Sequence, residues 1–429
     1  NLKTYLKKNY QGYEKDLFSA FMMRNLYFSK PNGQLGFMSP MVWMFISSYE
    51  NLRTYFIDQA IIYSLIQLEY NASGEVRVPL GAFILSKQYI ADFMGSYIRL
   101  TEFPGYDVQS IKTLEALKNP ACGWFFNSKP DDFKKIPGSP IAYWVSNTLR
   151  QAFTAAKCHK DMWEPRVGMA TGNNDVHLRL WYEISFHKIG IGCDSRESAL
   201  LTKCKWFPYN KGGQFRRWYG NNEFVVNWEN DGELIRNTLH PSGDRIWAHN
   251  FNLDYIFKPS LTFTATSSSY FGIRYSTKGF LFDNKGSSYF TTEEKMFPVL
   301  AFLASKPATV ILKSINPTIE FQPGNISILP FFEKMIKNDV SIRVKSIITA
   351  YCLDWDSYET SWDFTENPII RTQEPNLEQA FNTWQQQNTD AVSEMKHLEE
   401  ENNKLFIDAY GLQDELTPEV PDAQITLTR

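Results

Sequence analysis

The strongest constraint on this chain is in its first hundred residues, which alternate between helical and extended patterns yet hold too few strands to make a complete sheet. Asp16 is placed to cap a helix whose apolar positions Leu17, Phe18, Phe21, Met22 and Leu26 recur at helical spacing, and Lys30-Pro31-Asn32-Gly33 ends it. Gln34–Ser39 reads as a short buried strand closed by Pro40. A second helix from about Ser48 to Ile57 leads into strand Ile61–Leu68, and after the Ser73-Gly74 bend Val76–Leu85 reads as another strand. This alternation predicts an α/β fragment, part of a doubly wound sheet. The strands it holds leave edges that something upstream must pair. The first residue is Asn1, and Asn1–Lys8 has no apolar signal core. The chain is therefore expected to start after processing or inside a longer gene product.

Four regions are expected. Residues 1–103 form the α/β fragment, and 104–140, punctuated by prolines and turn pairs, read as a linker. Residues 141–350 change character: short runs such as Glu223–Trp228, Ser260–Thr266 and Gly279–Phe282 lie between Gly, Asn and Ser turns, predicting a mixed α+β domain with small sheets. Residues 351–429 read as helical. There Leu377, Phe381, Trp384, Asn388, Ala391, Met395, Leu398, Asn402, Leu405 and Ala409 follow a heptad seam, with Gly411 as its C-terminal cap. That helix either docks on a partner or covers the chain's own core.

Hydrophobic residues at 43% and charged residues at 21% exclude a disordered chain. No apolar run approaches the roughly 18–20 residues that span a bilayer, so a soluble protein with no membrane partner is expected. Cys122, Cys158, Cys193, Cys204 and Cys352 are scattered and odd in number, which fits a reducing, cytoplasmic location. On that reading the Asn71-Ala72-Ser73 triplet is chance. Cys158, His159, His177, His187, Cys193 and Cys204 match no closed zinc spacing, so no metal is expected. His177 and His187 read as structural. The P-loop, GxSxG, HExxH and GxGxxG motifs are all missing, and Asp131-Asp132 and Asp354/Asp356 read as turns or caps.

The net charge of −3 argues against a uniformly basic nucleic-acid binder, but the charge is unevenly spread. Residues 391–429 hold nine acids against three bases, whereas Lys203, Lys205, Lys211, Arg216 and Arg217 form a run of five bases with no acid among them. The stretch Lys203–Gly220 interleaves these bases with Trp206, Phe207, Tyr209, Trp218 and Tyr219 and with Gly212-Gly213. Glycines let backbone N–H groups approach a phosphate, bases neutralise it, and planar rings stack on nucleobases or brace arginines. Thr171-Gly172-Asn173-Asn174-Asp175, followed by Arg179 and Trp181, is similar in character. The same stretches also fit a domain with an aromatic core and a solvated basic loop. An aromatic-lined carbohydrate groove would leave the basic run unexplained.

Several blocks carry a resemblance. Lys15–Phe21 (KDLFSAF) and Lys30–Pro40 (KPNGQLGFMSP) look like the fifth and sixth motifs of γ-class DNA adenine-N6 methyltransferases, and Gly74–Phe83 (GEVRVPLGAF) resembles their eighth. Thr171–Glu183 (TGNNDVHLRLWYE) and Lys205–Gly232 (KWFPYNKGGQFRRWYGNNEFVVNWENDG) resemble the target-recognition half of the large PglX-type enzymes of BREX phage-defence systems. So do Ile136–Ser146, Ile315–Pro330 and Ile407–Leu416, and some fused restriction–modification enzymes share these blocks. The family's S-adenosylmethionine-binding glycine motif and its catalytic Asn-Pro-Pro-Tyr precede the fifth motif and are not in this sequence.

The resemblance thus implies the C-terminal part of an S-adenosylmethionine-dependent adenine-specific DNA methyltransferase, inactive by itself. Its implied partners are double-stranded DNA, the missing N-terminal methyltransferase half and other phage-defence proteins. Competing readings are a stand-alone, non-catalytic DNA specificity subunit and a protein-interaction module acting through the acidic heptad helix. Under the first reading Asp16, Leu17 and Phe18 line the cofactor's adenine side, and Tyr70 stacks on the flipped base. Arg179, Lys205, Lys211, Arg216 and Arg217 meet phosphates or guanine edges, and Asn174 and Gln214 read adenine. Trp181, Trp218 and Tyr219 are either stacking wedges or core residues.

Overall fold

The computed structural model describes residues 1–70, 78–156, 164–266, 270–317 and 320–429. Cys158, His159, the Asn71-Ala72-Ser73 triplet, the start of the eighth-motif block and the start of the strand expected at Val76 lie outside them. The chain divides into two compact units, Asn1–Ala155 with Ser314–Pro317, and Ala156–Lys313 with Thr318–Arg429.

In the first unit, α1 (Leu2–Asn9) precedes α2 (Leu17–Phe28), which Asp16 caps as expected: its Oδ1 accepts the Leu17 N–H at 2.7 Å. Five strands, β1 (Gln34–Pro40), β2 (Ile61–Gln67), β3 (Leu80–Ser86), β4 (Gly95–Arg99) and β5 (Phe125–Ser128), make one sheet in the order β1-β3-β2-β4-β5. The α3 helix (Glu50–Gln59) leads into β2. Three of the four neighbouring pairs are antiparallel and only β2–β4 is parallel. This corrects the simple parallel alternation expected from the sequence. β3 pairs antiparallel with both of its neighbours, β1 and β2. β1 and β2 therefore run the same way with a reversed strand between them.

Two further expectations fail in this unit. β1 alternates between exposed and half-buried instead of being buried, because it is the edge of its sheet. The stretch read as a linker is folded: it contains α4 (Tyr106–Lys118), β5 paired to β4, and α5 (Pro130–Lys134). The core is aromatic, with Trp43 lying 5.4 Å from Phe56 and 5.1 Å from Phe83. Beside it the buried Arg53 guanidinium donates to Trp43 O at 2.8 Å, Ile46 O at 2.7 Å and Gly138 O at 2.8 Å. Burial lowers its pKa to about 10.

The second unit holds the expected small sheets. β6 (Glu164–Arg166), β7 (Leu178–Leu180), β8 (Trp206–Asn210), β9 (Phe224–Asn227), β10 (Ser260–Phe263), β11 (Ile273–Ser276), β12 (Leu281–Phe282) and β13 (Ser288–Phe290) form two four-stranded sheets, β11-β10-β13-β6 and β12-β8-β9-β7. Phe207, Tyr209, Val226, Phe257 and Phe282 belong to the core beneath them. Helices Glu293–Leu303, Lys306–Ile315 and Asn338–Trp355 precede one long helix, Leu377–Tyr410, capped by Gly411 in the left-handed conformation (φ 67°). Residues beyond Gly411 are mostly irregular, so the expectation of a helical end holds only to Tyr410. Among the described residues no single helix is long and apolar enough to cross a membrane.

The long helix is two things in sequence. Leu377 and Phe381 are exposed, whereas Met395, Glu399, Asn402, Asn403, Phe406, Ile407 and Tyr410 are buried. The C-terminal half thus covers the chain's own core. Asn402, one of the two polar interruptions of the seam, donates to Ala301 O at 2.8 Å.

Candidate nucleic-acid interface

The five-base run is largely neutralised from within. Lys211 Nζ lies 2.6 Å from the buried Asp283, Arg216 is 3.6 Å from Asp354 and 4.8 Å above the Trp355 ring, and Arg217 is 2.8 Å from Glu399. Lys205 is exposed and only loosely paired, 3.8 Å from Glu229. These acids come from 24 to 182 residues away along the chain, so no local pattern announces them.

Arg217 and Trp218 are corrected outright as DNA contacts. Arg217 is 3% exposed and Trp218 is fully buried, and both donate to the same carboxylate: Arg217 Nη1 to Glu399 Oε2 at 2.8 Å, Trp218 Nε1 to Glu399 Oε1 at 2.9 Å. Tyr351 donates its hydroxyl to Glu399 Oε1 at 2.7 Å, and Gln424 accepts from Arg217 at 2.6 Å. A phosphate cannot reach this guanidinium without dismantling the network. Trp181 is also tied down: its Nε1 donates to Thr360 O at 2.7 Å and its ring packs on Ile189, Trp206 and Val225. Tyr219 is half-buried, and burial pushes its phenol well up. Arg216 is half-buried under its stack on Trp355, with Asp354 as its counter-charge.

The remaining candidates face solvent. Asn174 and Gln214 are exposed, and Arg179 is half-exposed, its Nη1 held by Asp175 O at 2.6 Å with the guanidinium 5.7 Å from the Trp206 ring. Asn174 and Lys211 share a cavity of about 360 Å³ with Thr171, Arg245, Trp247 and His249. Sequence inspection missed the last three residues; their only signal was a base, a ring and an imidazole following the Pro241-Ser242-Gly243 turn.

The cavity is built where separate stretches of chain are held side by side. Ala170 and His249 exchange backbone hydrogen bonds of 3.0 and 3.1 Å, and Asn284 N donates to Met169 O at 3.2 Å. Gly172 has φ +76°, and a Cβ there would lie 2.5 Å from Trp247, so only glycine lets the Thr171 turn close on that ring. Thr171 donates to Asn174 Oδ1 at 2.5 Å, which leaves the Asn174 amide NH₂ facing outward. At the floor Asp283 accepts from Lys211, from the Tyr209 hydroxyl at 3.0 Å and from the Lys285 N–H at 2.7 Å. Arg245 is exposed at the rim and has no ion pair among the described residues. The result is a mixed donor–acceptor surface with an exposed guanidinium and an indole, chemistry suited to base edges and phosphates. Among the described residues no cluster of three His, Cys, Asp or Glu could hold a metal.

In the first unit, Asp16 and Leu17 border a cavity of about 630 Å³ that Leu2, Leu6 and Asn51 also line. Phe18 does not reach it: its ring packs 5.3 Å from Tyr49. Tyr70 is 52% exposed and ends the described segment after β2.

Residues 1–73 match the Eco57I restriction-modification methylase family. Over 439 aligned residues covering 100% of this chain, the adenine-specific methyltransferase PglX of Lacticaseibacillus casei (strain Zhang) is 36% identical. This chain is PglX-like from end to end. The adenine-specific methyltransferase BrxX of Escherichia coli O9:H4 (strain HS) is 31% identical over 86% of the chain. The resemblance seen in the sequence blocks is thereby borne out. The chain spans about a third of the length of these relatives, 36% of PglX and 29% of BrxX. Among solved structures, the Type IIL restriction-modification enzyme MmeI, in complex with DNA, superposes with a TM-score of 0.51 at 11% identity, over 97% of this chain and 53% of that one. At that identity the likeness to MmeI is one of fold: mixed α/β, with several sheets and helices. The alignment with PglX runs through both units.

Proposed function

We propose that this chain is the C-terminal part of a site-specific DNA adenine-N6 methyltransferase of a phage-defence system, and that its second unit recognises the DNA target. The observation that carries this reading is the similarity to PglX over the whole chain and to BrxX over 86% of it. The first unit is read as the C-terminal part of the catalytic sheet. A reversed β3 between the co-directional β1 and β2, with β1 left at an edge, suits a sheet whose remaining strands add beyond β1.

S-adenosylmethionine would supply the methyl group in the complete enzyme. Of this chain's residues, Asp16 and Leu17 fit a cofactor wall, one offering a carboxylate and the other an apolar side chain at the rim of an open cavity. Phe18 supports them from the core. Tyr70, with half its ring exposed, is the aromatic offered to a flipped base. Target reading is assigned to the Thr171–Asn174 turn, Lys211, Arg245, Trp247 and His249, and backbone contact to Arg179, Lys205 and Gln214.

The test is fluorescence anisotropy of the chain on a random-sequence duplex across a salt series. Binding with a steep salt slope is expected, and Arg245→Ala should reduce that slope by about one unit. A folded sample that does not bind duplex at low salt would overturn the assignment of target recognition to the second unit.

A further inference from the structure

The first unit carries an aromatic, basic groove that the target-recognition reading does not use. Five tyrosines, Tyr5, Tyr10, Tyr13, Tyr27 and Tyr55, line a cavity of about 510 Å³ formed by α1, the turn after it, α2 and α3. Two of the rings are well exposed, Tyr27 at 76% and Tyr5 at 52%. Tyr5 stands 6.4 Å from Tyr10, and Tyr13 meets Tyr55 edge-on at 6.3 Å. The groove thus combines two exposed rings, Tyr5 and Tyr27, with less exposed rings that brace one another.

Its charge is of one sign. Arg24 and Lys87 line the cavity, and among the described residues no carboxylate does. Arg24 is exposed, sits 4.4 Å over the Phe28 ring and has no ion pair among the described residues. Lys87 Nζ donates to Ser29 O at 3.0 Å, which orients its charge without cancelling it. The surrounding sequence agrees: residues 1–30 contain six bases and two acids. Buried phenols alone would be core, and exposed lysines alone a solvated face. Open rings, an unpaired guanidinium and amide side chains in one cavity of ligand size answer a ligand with flat faces and negative charge.

We propose that this groove binds single-stranded nucleic acid, with unstacked bases on Tyr5 and Tyr27 and phosphates on Arg24 and Lys87. Base–aromatic stacking tolerates any sequence because every base has a π-face, so no sequence preference is expected. A closed duplex keeps its bases stacked and has no face to offer these rings. The site goes beyond the proposed function and stands independently of it, because it lies wholly in the first unit and the proposed target-reading residues lie in the second.

The experiment is anisotropy of the 429-residue chain with a labelled dT12 strand and, in parallel, a labelled duplex. Tyr5→Ala with Tyr27→Ala should weaken dT12 binding by about tenfold or more and leave duplex binding unchanged. Tyr5→Phe with Tyr27→Phe should retain it, because the rings remain. Arg24→Ala should weaken dT12 binding and lower its salt slope by about one unit. Both tyrosines are exposed, and a circular-dichroism spectrum matching the parent checks the fold. The proposal is overturned if dT12 does not bind, if the double alanine variant binds it as the parent does, or if thymidine monophosphate competes as well as the strand. Loss of duplex binding with dT12 binding intact would instead overturn the target-recognition reading alone.

Discussion

Two regions of this chain are basic and aromatic, and they use their charge in opposite ways. The run from Lys203 to Arg217 is the denser in sequence, but Lys211, Arg216 and Arg217 each meet an acid from far along the chain, namely Asp283, Asp354 and Glu399. The α1–α2 region is less conspicuous, yet among the described residues its Arg24 meets a ring and no acid, and no carboxylate lines its groove. Density of bases in a sequence therefore does not measure the charge available to a ligand. The acidic end of the chain is part of the reason: the segment with nine acids against three bases supplies the carboxylate that neutralises Arg217.

The sharpest way to break this comparison is to remove that carboxylate. Glu399→Ala should cost about 3–5 kcal/mol, the range for leaving one partner of a buried pair uncompensated, and it also strands the Trp218 and Tyr351 donors. Urea denaturation followed by tryptophan fluorescence would report it. An effect below 1 kcal/mol would mean that the network does not hold the second unit together. Arg53→Met makes the matching test in the first unit. There the buried guanidinium serves carbonyls instead of a carboxylate, and losing it should cost on the order of 2–3 kcal/mol through the unpaired Trp43, Ile46 and Gly138 oxygens.

Arg217→Ala separates structure from grip. Were both arginines phosphate contacts, as the basic run implies, Arg216→Ala with Arg217→Ala would flatten the salt dependence of DNA binding by roughly two units. With Arg217 buried on Glu399, the single variant should lower stability and leave the salt slope of the folded fraction unchanged. A slope reduced by a full unit would restore Arg217 as a phosphate contact.

The smallest expected effect is one of pH. His177 is buried with neither ring nitrogen hydrogen-bonded, and burial lowers its pKa from the ordinary 6.5. The unfolded chain then binds the proton first as pH falls, so the contribution is complete above pH 6.5 and declines below it. Thermal unfolding at pH 7.5 and 5.5 should show the second unit losing stability on acidification, and His177→Leu should reduce that loss. Equal loss in both would assign the pH dependence to other groups.

What was legible in the sequence was whatever short-range periodicity controls. The Asp16 cap, the helix after it, the strand beginning at Ile61 and the short strands near Phe224, Ser260 and Leu281 all lie where the residue pattern put them. The strand Gln34–Pro40 was found but its burial was misjudged, because burial depends on what pairs with its outer edge. β4 and β5 were missed: each is only four or five residues long, and β5 lies in the stretch whose prolines suggested a linker. Glu399 could not be anticipated. It falls one place off the apolar seam defined by Met395, Leu398 and Asn402, and its partner is 182 residues away. The Arg245–His249 edge of the cavity was hidden for the same reason, since only the pairing of Ala170 with His249 brings it to Asn174.

The Glu399 network also defines a unit of inheritance. A recognition module transplanted between relatives along the boundaries of its basic run would carry Arg217 and Trp218 but leave behind the acid that both of them need. The portable cassette must extend to at least Thr426, since the Arg217 guanidinium donates to Gln424 and its backbone N–H to the Thr426 hydroxyl. Any exchange of segments in this chain has to treat the middle of the sequence and its end as one piece.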